Sequence, residues 1–343
     1  MPRGNLRRME RLDGDGAVHD GHQEWARRVQ GALLLAACGD ALGARFEGRA
    51  QVDPEAVEGY LGDPPAELRW TDDTALTLVL ADHLARHRGT IDQDGLAAGF
   101  AAEWTGDPGR GYGGGAAKLF SQLNAGMPWR QAARQLFGGQ GSFGNGAAMR
   151  VAPVGLVSDL DLSTVAELAR RSAVVTHAHP QAADGAAVQA LAVALAARLH
   201  RSAPVVADRF AASITPHVRE PEFRVALRQV CVLVRQRATP EEVAATVGND
   251  VSALGSVPAA LTAFLRCPDD PREAVRFAIC VGGDTDTIAA MTGALSGARC
   301  GEAELPALWT DRLEEGQRLR AVATALAALA AGDPGPRGSE PPG

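Results

Sequence analysis

The stretch "GGDTDTIAAMTGALSGA" (residues 282–298) places Asp284 and Asp286, each followed by a threonine, at the head of a long run of small and apolar residues. Such a run reads as a buried helix entered through an acidic first turn. A second stretch, "WTDDTAL" (70–76), repeats the pattern ahead of another apolar helical run. Taken singly, each cluster reads as a helix cap, with Thr71 or Asp72 capping the earlier helix. Taken together, they raise the question of a shared site.

Working outward, apolar residues recur at helical spacing in "ALTLVLADHLARH", "DGAAVQALAVALAARLH", "EFRVALRQVCVLVRQR", "EAVRFAIC" and "LEEGQRLRAVATALAALAA". Aromatic residues are only 5% of the chain, and strand-like alternation is scarce, so the expected fold is all-α, a compact multi-helix bundle. No linker splits it. A single domain is expected over 23–331, with polar tails at 1–22 and 332–343.

The 343 residues are 46% hydrophobic and 22% charged, enough for a large core. The net charge of −7 argues against general binding to nucleic acid or to anionic membranes. The apolar run "GALLLAACGDALGA" is too short to span a bilayer and is broken by Asp40. The N-terminal stretch is polar and lacks the apolar core of a secretory signal. Five scattered cysteines with no C-x-x-C pair fit reduced thiols in the cytoplasm better than a disulfide framework. A cytoplasmic monomer is expected.

The two acidic clusters offer the first chemistry. Hard divalent cations prefer carboxylate, hydroxyl, carbonyl and water oxygens. Two helix starts facing one another would supply Thr71, Asp72 and Asp73 from one side and Asp284, Asp286 and Thr287 from the other. Helix N-termini repel cations, so several carboxylates are needed to reverse the local sign. Four aspartates can neutralise two divalent ions, and the oxygen-only set favours magnesium or manganese over zinc. Glu47, in "CGDALGARFEG", follows a helix that ends near Gly43; it reads either as a solvated glutamate or as a group that reaches a metal or orients a water. Asp40 reads as a buried, hydrogen-bonded structural aspartate.

The glycine-rich stretches "GYGGG" (111–115) and "GSFGNG" (141–146) lie between helices. They read as surface turns or as loops whose backbone N–H groups, with Ser142 and Asn145, meet phosphates. Neither is a Walker A loop or a Rossmann fingerprint. Tyr112 and Phe143 read equally as stacking platforms for a base or ribose and as packing anchors. "THAHP" invites a metal reading at His177 and His179, but a substrate hydrogen bond from His177 fits better beside an all-oxygen cation site.

In order along the chain, "GDALGARFEG", "TDDT", "GYGGG", "GSFGNGAAMRVAPVG", "THAHPQAADGA" and "GGDTDTIAAMTGAL" resemble the ADP-ribosylglycohydrolase family, from about Gly31 to Gly301. Each motif alone is weak; the ordered set is specific. The resemblance implies an all-α fold with two divalent cations, magnesium or manganese, and hydrolysis of the glycosidic bond at C1″ of ADP-ribose. The substrate would be an ADP-ribosylated protein or a small ADP-ribosyl conjugate. It implies metal ligation by Thr71, Asp72, Asp73, Asp284, Asp286 and Thr287, and a gating or catalytic role for Glu47. It implies diphosphate contacts at Gly111, Gly113 and Gly115. ADP and distal-ribose contacts fall on Ser142, Phe143, Gly144 and Asn145, with His177 near the ribose. Glu47 and Asp286 are the candidates for stabilising oxocarbenium-like charge or taking the water's proton. Gly111 stands where many arginine-directed members carry an acidic residue, which likens the chain to the branch that includes serine-directed hydrolases and crystallin-like proteins. Two other readings remain open: a non-catalytic ADP-ribose-binding or crystallin-like relative, and a hydrolase of another nucleotide-sugar conjugate. The complete set of oxygen-bearing side chains favours an enzyme.

Overall fold

The computed structural model of the chain describes residues 14–157 and 160–331. Every regular element among them is helical, and strand-like pairing is confined to three isolated bridges. The expected tails at 1–13 and 332–343 lie outside the described residues. Residues 14–22, also expected as tail, open the helix Gly14–Gly43.

The helices Gly14–Gly43 and Thr285–Cys300 form the antiparallel centre of the bundle. The second is buried along nearly its whole length. This follows from its sequence, which is small and apolar on every face. The two backbones touch. A Cβ on Gly31 would lie 2.5 Å from the Gly297 carbonyl oxygen, one on Gly293 would lie 2.3 Å from that of Leu35, and one on Gly43 would lie 2.4 Å from that of Thr285. Only glycine allows this approach. The contact brings the end of the first helix to the start of the second, and so carries Glu47 to Asp284.

Asp40 fixes the third component. It is completely buried in the first helix, and its carboxylate accepts hydrogen bonds from the backbone N–H of Thr71 and Thr74 and from the Thr74 hydroxyl at 2.6 Å. It therefore acts as a cap for the helix Asp72–Arg86, supplied from another element. The expected structural role of Asp40 is what the hydrogen bonds show. The helices Pro180–Arg198, Ala253–Arg266 and Pro271–Cys280 pack around the central pair and complete the core. Among the described residues, no helix is long and apolar enough to cross a membrane.

Candidate active site

The loops between these helices meet at a cavity of about 310 Å³. Its lining includes Glu47, Asp72, Asp73, Asp284, Asp286, Thr287, Gly111, Gly113, Gly115, Ser142, Gly144, Asn145 and His177. Residues expected to act together from six separate stretches thus share one space.

Backbone pairing places each stretch. Gly282 and Gly283 both have positive φ, 77° and 73°. Gly283 exchanges hydrogen bonds with the Glu47 loop: Gly48 N–H donates to the Gly283 carbonyl, and Gly283 N–H donates to that of Arg49, both at 2.8 Å. A Cβ on Gly283 would lie 2.0 Å from the Asn249 carbonyl oxygen, so the paired glycines are required where three loops cross. The Asp284 N–H donates to that same Asn249 carbonyl. On the far wall, Asn145 N–H donates to the Val251 carbonyl, and Ala253 N–H to that of Phe143.

Carboxylate oxygens of Glu47, Asp284 and Asp286 lie within 4.8 Å of one another. Asp72 and Asp73 line the same cavity outside this trio. Glu47 is solvent-exposed, whereas Asp73, Asp284 and Asp286 are buried. Burial, reinforced by the Asp284 charge, pushes the Asp286 carboxyl up to about 9. Burial, with Asp40 nearby, pushes Asp72 up to about 7. Asp73 is raised well above the usual range by burial and by Asp40 and Asp286. Asp284 is raised by burial, and Glu47 by burial and by the charge of Asp284. These shifts have one origin: five carboxylates crowd one cavity, most of them largely shielded from solvent, whose lining includes one cationic side chain, Arg150. Asp73 Oδ2 is buried without a hydrogen-bond partner. A crowded, oxygen-only donor set with an orphaned carboxylate oxygen fits hard divalent cations.

The structure separates some of the expected residues from the cavity. Thr71 does not line it; its hydroxyl caps its own helix by accepting from Asp73 N–H, which leaves one lone pair. Tyr112 is not in the lining and packs edge-on against Phe120, which is, with ring centroids 6.0 Å apart. Phe143 lies half in solvent between Phe137 and His179, outside the lining. His179 caps the helix Pro180–Arg198 through Nδ1, which accepts from Gln181 N–H. A larger hollow of about 750 Å³, lined by Trp70, His83, His87 and Arg110 among others, holds none of the expected site residues.

Phe137, Arg150 and Thr176 are among the lining residues that escaped the sequence reading. Phe137 has a left-handed backbone (φ 50°) and is 56% exposed, so it forms a wall and contributes little to the core. No local pattern marks it. Arg150 and Thr176 sit inside the quoted motifs, and a lone arginine ending the small-residue run "GNGAAM" was the available signal.

Residues 21–335 match the family model described as ADP-ribosylglycohydrolase. ADP-ribosylhydrolase ARH3 of Homo sapiens is 34% identical over 330 residues, spanning 84% of this chain and 89% of that protein. The ARH3 of Gallus gallus is 33% identical over 344 residues, spanning 87% and 92%. A solved structure named ADP-ribosylglycohydrolase-related protein complex superposes with a TM-score of 0.67 at 28% identity, over 90% of this chain and 99% of that one. The match covers the bundle and every wall of the cavity: the chain belongs to the ADP-ribosylglycohydrolase family and is a glycosyl hydrolase.

Proposed function

We propose that the chain hydrolyses the bond between C1″ of ADP-ribose and an oxygen-linked acceptor, a protein side chain or a small conjugate, with two divalent cations, magnesium or manganese. The observation that carries this reading is the convergence of Glu47, Asp72, Asp73, Asp284 and Asp286 on one cavity. Asp72, Asp73, Asp284, Asp286 and Thr287 would hold the cations, with Thr71 at the edge. Bound there, such ions supply charge neutralisation, Lewis acidity and a template for ribose hydroxyls.

The chain's own groups supply the rest. Gly113 is the N-cap of the helix Gly114–Asn124, and Gly113, Gly114 and Gly115 line the cavity, so N–H groups of a helix start face the space where a diphosphate fits. Asn145 Nδ2 donates to Asp284 Oδ2 and orients that carboxylate. Thr287 N–H donates to Asp286 Oδ1 at 2.9 Å and helps hold that carboxylate in place. Glu47 and Asp286 are the two candidates to take the proton of the attacking water or to stabilise positive charge at C1″. In net terms, water gives OH to C1″ and a proton to the released acceptor oxygen.

The test is a panel of defined ADP-ribosyl conjugates incubated with the protein, with chelator and with magnesium or manganese restored. Release of ADP-ribose only with the metal supports the reading. Equal release in EDTA, or no release from any conjugate, overturns it.

A further inference from the structure

Arg150 is 1% exposed, and among the described residues it pairs with no carboxylate within salt-bridge distance. Its guanidinium lies over the Phe100 ring, 4.3 Å from the centroid. It donates through Nη1 to the Gly146 carbonyl, and through Nη2 to the Ser172 carbonyl and, at 2.7 Å, to the Thr176 hydroxyl. A guanidinium has no acceptor, so the Thr176 oxygen must accept. The Thr176 hydrogen is then left to find its own acceptor.

Two are in reach. His177 Nδ1 is 2.7 Å away, and the Ala173 carbonyl oxygen is 3.5 Å away. That carbonyl already accepts the backbone N–H of Thr176 at 3.1 Å and of His177 at 2.9 Å. Distance and free lone pairs both send the hydroxyl hydrogen to Nδ1. An Nδ1 that accepts carries no proton, so the neutral ring carries its proton on Nε2.

His177 lines the cavity, as do Gly144 and Gly146, the glycines whose added Cβ atoms would come nearest its Nε2. A Cβ on Gly146 would lie 2.9 Å from Nε2 and 2.8 Å from Cε1, so this edge of the ring abuts a residue without a side chain. Among the described residues, Nε2 has no protein partner. Burial first, and the Arg150 charge second, push the His177 imidazole down to about 3, which keeps it neutral.

We propose that Arg150 and Thr176 are positioning residues that lock His177 in its Nε2-protonated tautomer, so that the ring presents a neutral N–H donor to an oxygen of the bound ADP-ribose unit. The ligand part rests on the function proposed above; the tautomer does not. A neutral donor binds an oxygen without adding a cation that would compete with metal ions for the carboxylates. It is also insensitive to pH across the neutral range.

The experiment reads the ring nitrogens of the full chain by long-range proton–nitrogen correlation at neutral pH, with His177→Gln identifying the signal. Wild type should show a protonated Nε2 and a hydrogen-bonded, unprotonated Nδ1. Thr176→Val keeps the shape and removes the hydroxyl. Its Nδ1 signal should move to the unbonded position, an Nδ1-protonated form should appear, and ADP-ribose affinity by calorimetry should drop about tenfold. Thr176→Ser should restore both. If the valine variant does not fold, Thr176→Ala replaces it. A protonated Nδ1 in wild type, or a Thr176 variant with wild-type spectrum and affinity, overturns the lock. A wild-type protein with the locked tautomer but no affinity for ADP-ribose supports the lock and overturns the ligand reading.

Discussion

Asn145 Nδ2 donates a hydrogen bond to Asp284 Oδ2 across 139 residues of sequence, from the glycine-rich loop on one wall of the cavity to the helix start on the other. The bond is buried, so the amide both orients the carboxylate and partly offsets its desolvation. The cost of losing it should appear in catalysis more than in folding. Asn145→Ala is expected to lower kcat/KM about tenfold while shifting the melting temperature by only a few degrees. Unchanged steady-state kinetics in the purified variant would show that Asp284 needs no such partner.

The carboxylates themselves behave differently from ordinary buried polar groups. They repel one another, so removing one relieves the metal-free fold even as it destroys the site. Asp73→Ala and Asp284→Ala should each abolish turnover at ordinary magnesium. Neither should melt much below wild type in the presence of chelator. Full activity in both variants would refute the assignment of these residues to the cations.

The same repulsion sets a pH dependence. Asp286 and Asp72 have folded-state values of about 9 and about 7, above the roughly 3.9 of an unfolded aspartate. The folded state therefore binds more protons than the unfolded state, and stability falls as pH rises. Their contribution is complete below the unfolded value and is lost as pH climbs through about 7 and about 9. In chelator, Asp286→Asn should gain melting temperature over wild type, and the gain should widen from about pH 5 to about pH 9. Magnesium should stabilise wild type more at the alkaline end. A gap that stays constant with pH would mean that the cluster carries no net repulsion.

Much of this was legible in the sequence because it depends on local signals. The periodic apolar runs dictated helices, and the paired acidic stretches marked helix starts. Asp40 was recognisable because a charge inside an apolar run must find partners. What stayed hidden depends on tertiary geometry. Whether Tyr112 enters the cavity lining or packs behind it on Phe120 is decided by a loop path that no spacing encodes. Phe137 becomes a wall residue only because its backbone turns left-handed between Leu136 and Gly138. The start at Gly14 was missed because "GDGAVHDGH" is polar and glycine-rich, poor by helix propensity, yet continuous with a helix held by the core further along.

Gly283 tests the crossing of the three loops directly. Its φ of 73° and the 2.0 Å approach of a Cβ to the Asn249 carbonyl leave no room for a side chain. Gly283→Ala should destabilise the fold by about 1–3 kcal/mol and displace Asp284 from the trio. Denaturant unfolding and a metal titration read the two effects. Wild-type stability with wild-type metal affinity would show that the crossing yields easily.

The last prediction concerns the acceptor. Gly111 has φ of 95°, and a Cβ there would lie 3.4 Å from Asp72 Oδ1, so an acidic side chain at this position would sit at the edge of the carboxylate cluster. The chain has none. Asp107, in the same loop, cannot substitute: it is held by Arg110 at 2.9 Å and by Arg69 at 3.3 Å, and it does not line the cavity. Glu47 is engaged in the trio with Asp284 and Asp286. A guanidinium leaving group therefore lacks a dedicated carboxylate, a charge-assisted bond worth about 1.5–3 kcal/mol. A neutral hydroxyl leaving group needs no such partner. O-linked ADP-ribose on a serine peptide should accordingly be cleaved with a kcat/KM about 10- to 100-fold above arginine-linked ADP-ribose on a peptide of otherwise identical sequence. The comparison uses initial rates of ADP-ribose release at matched magnesium. A preference for the arginine linkage would mean that Glu47 leaves the trio to meet the guanidinium, and Glu47→Gln would then depress the arginine reaction more than the serine one.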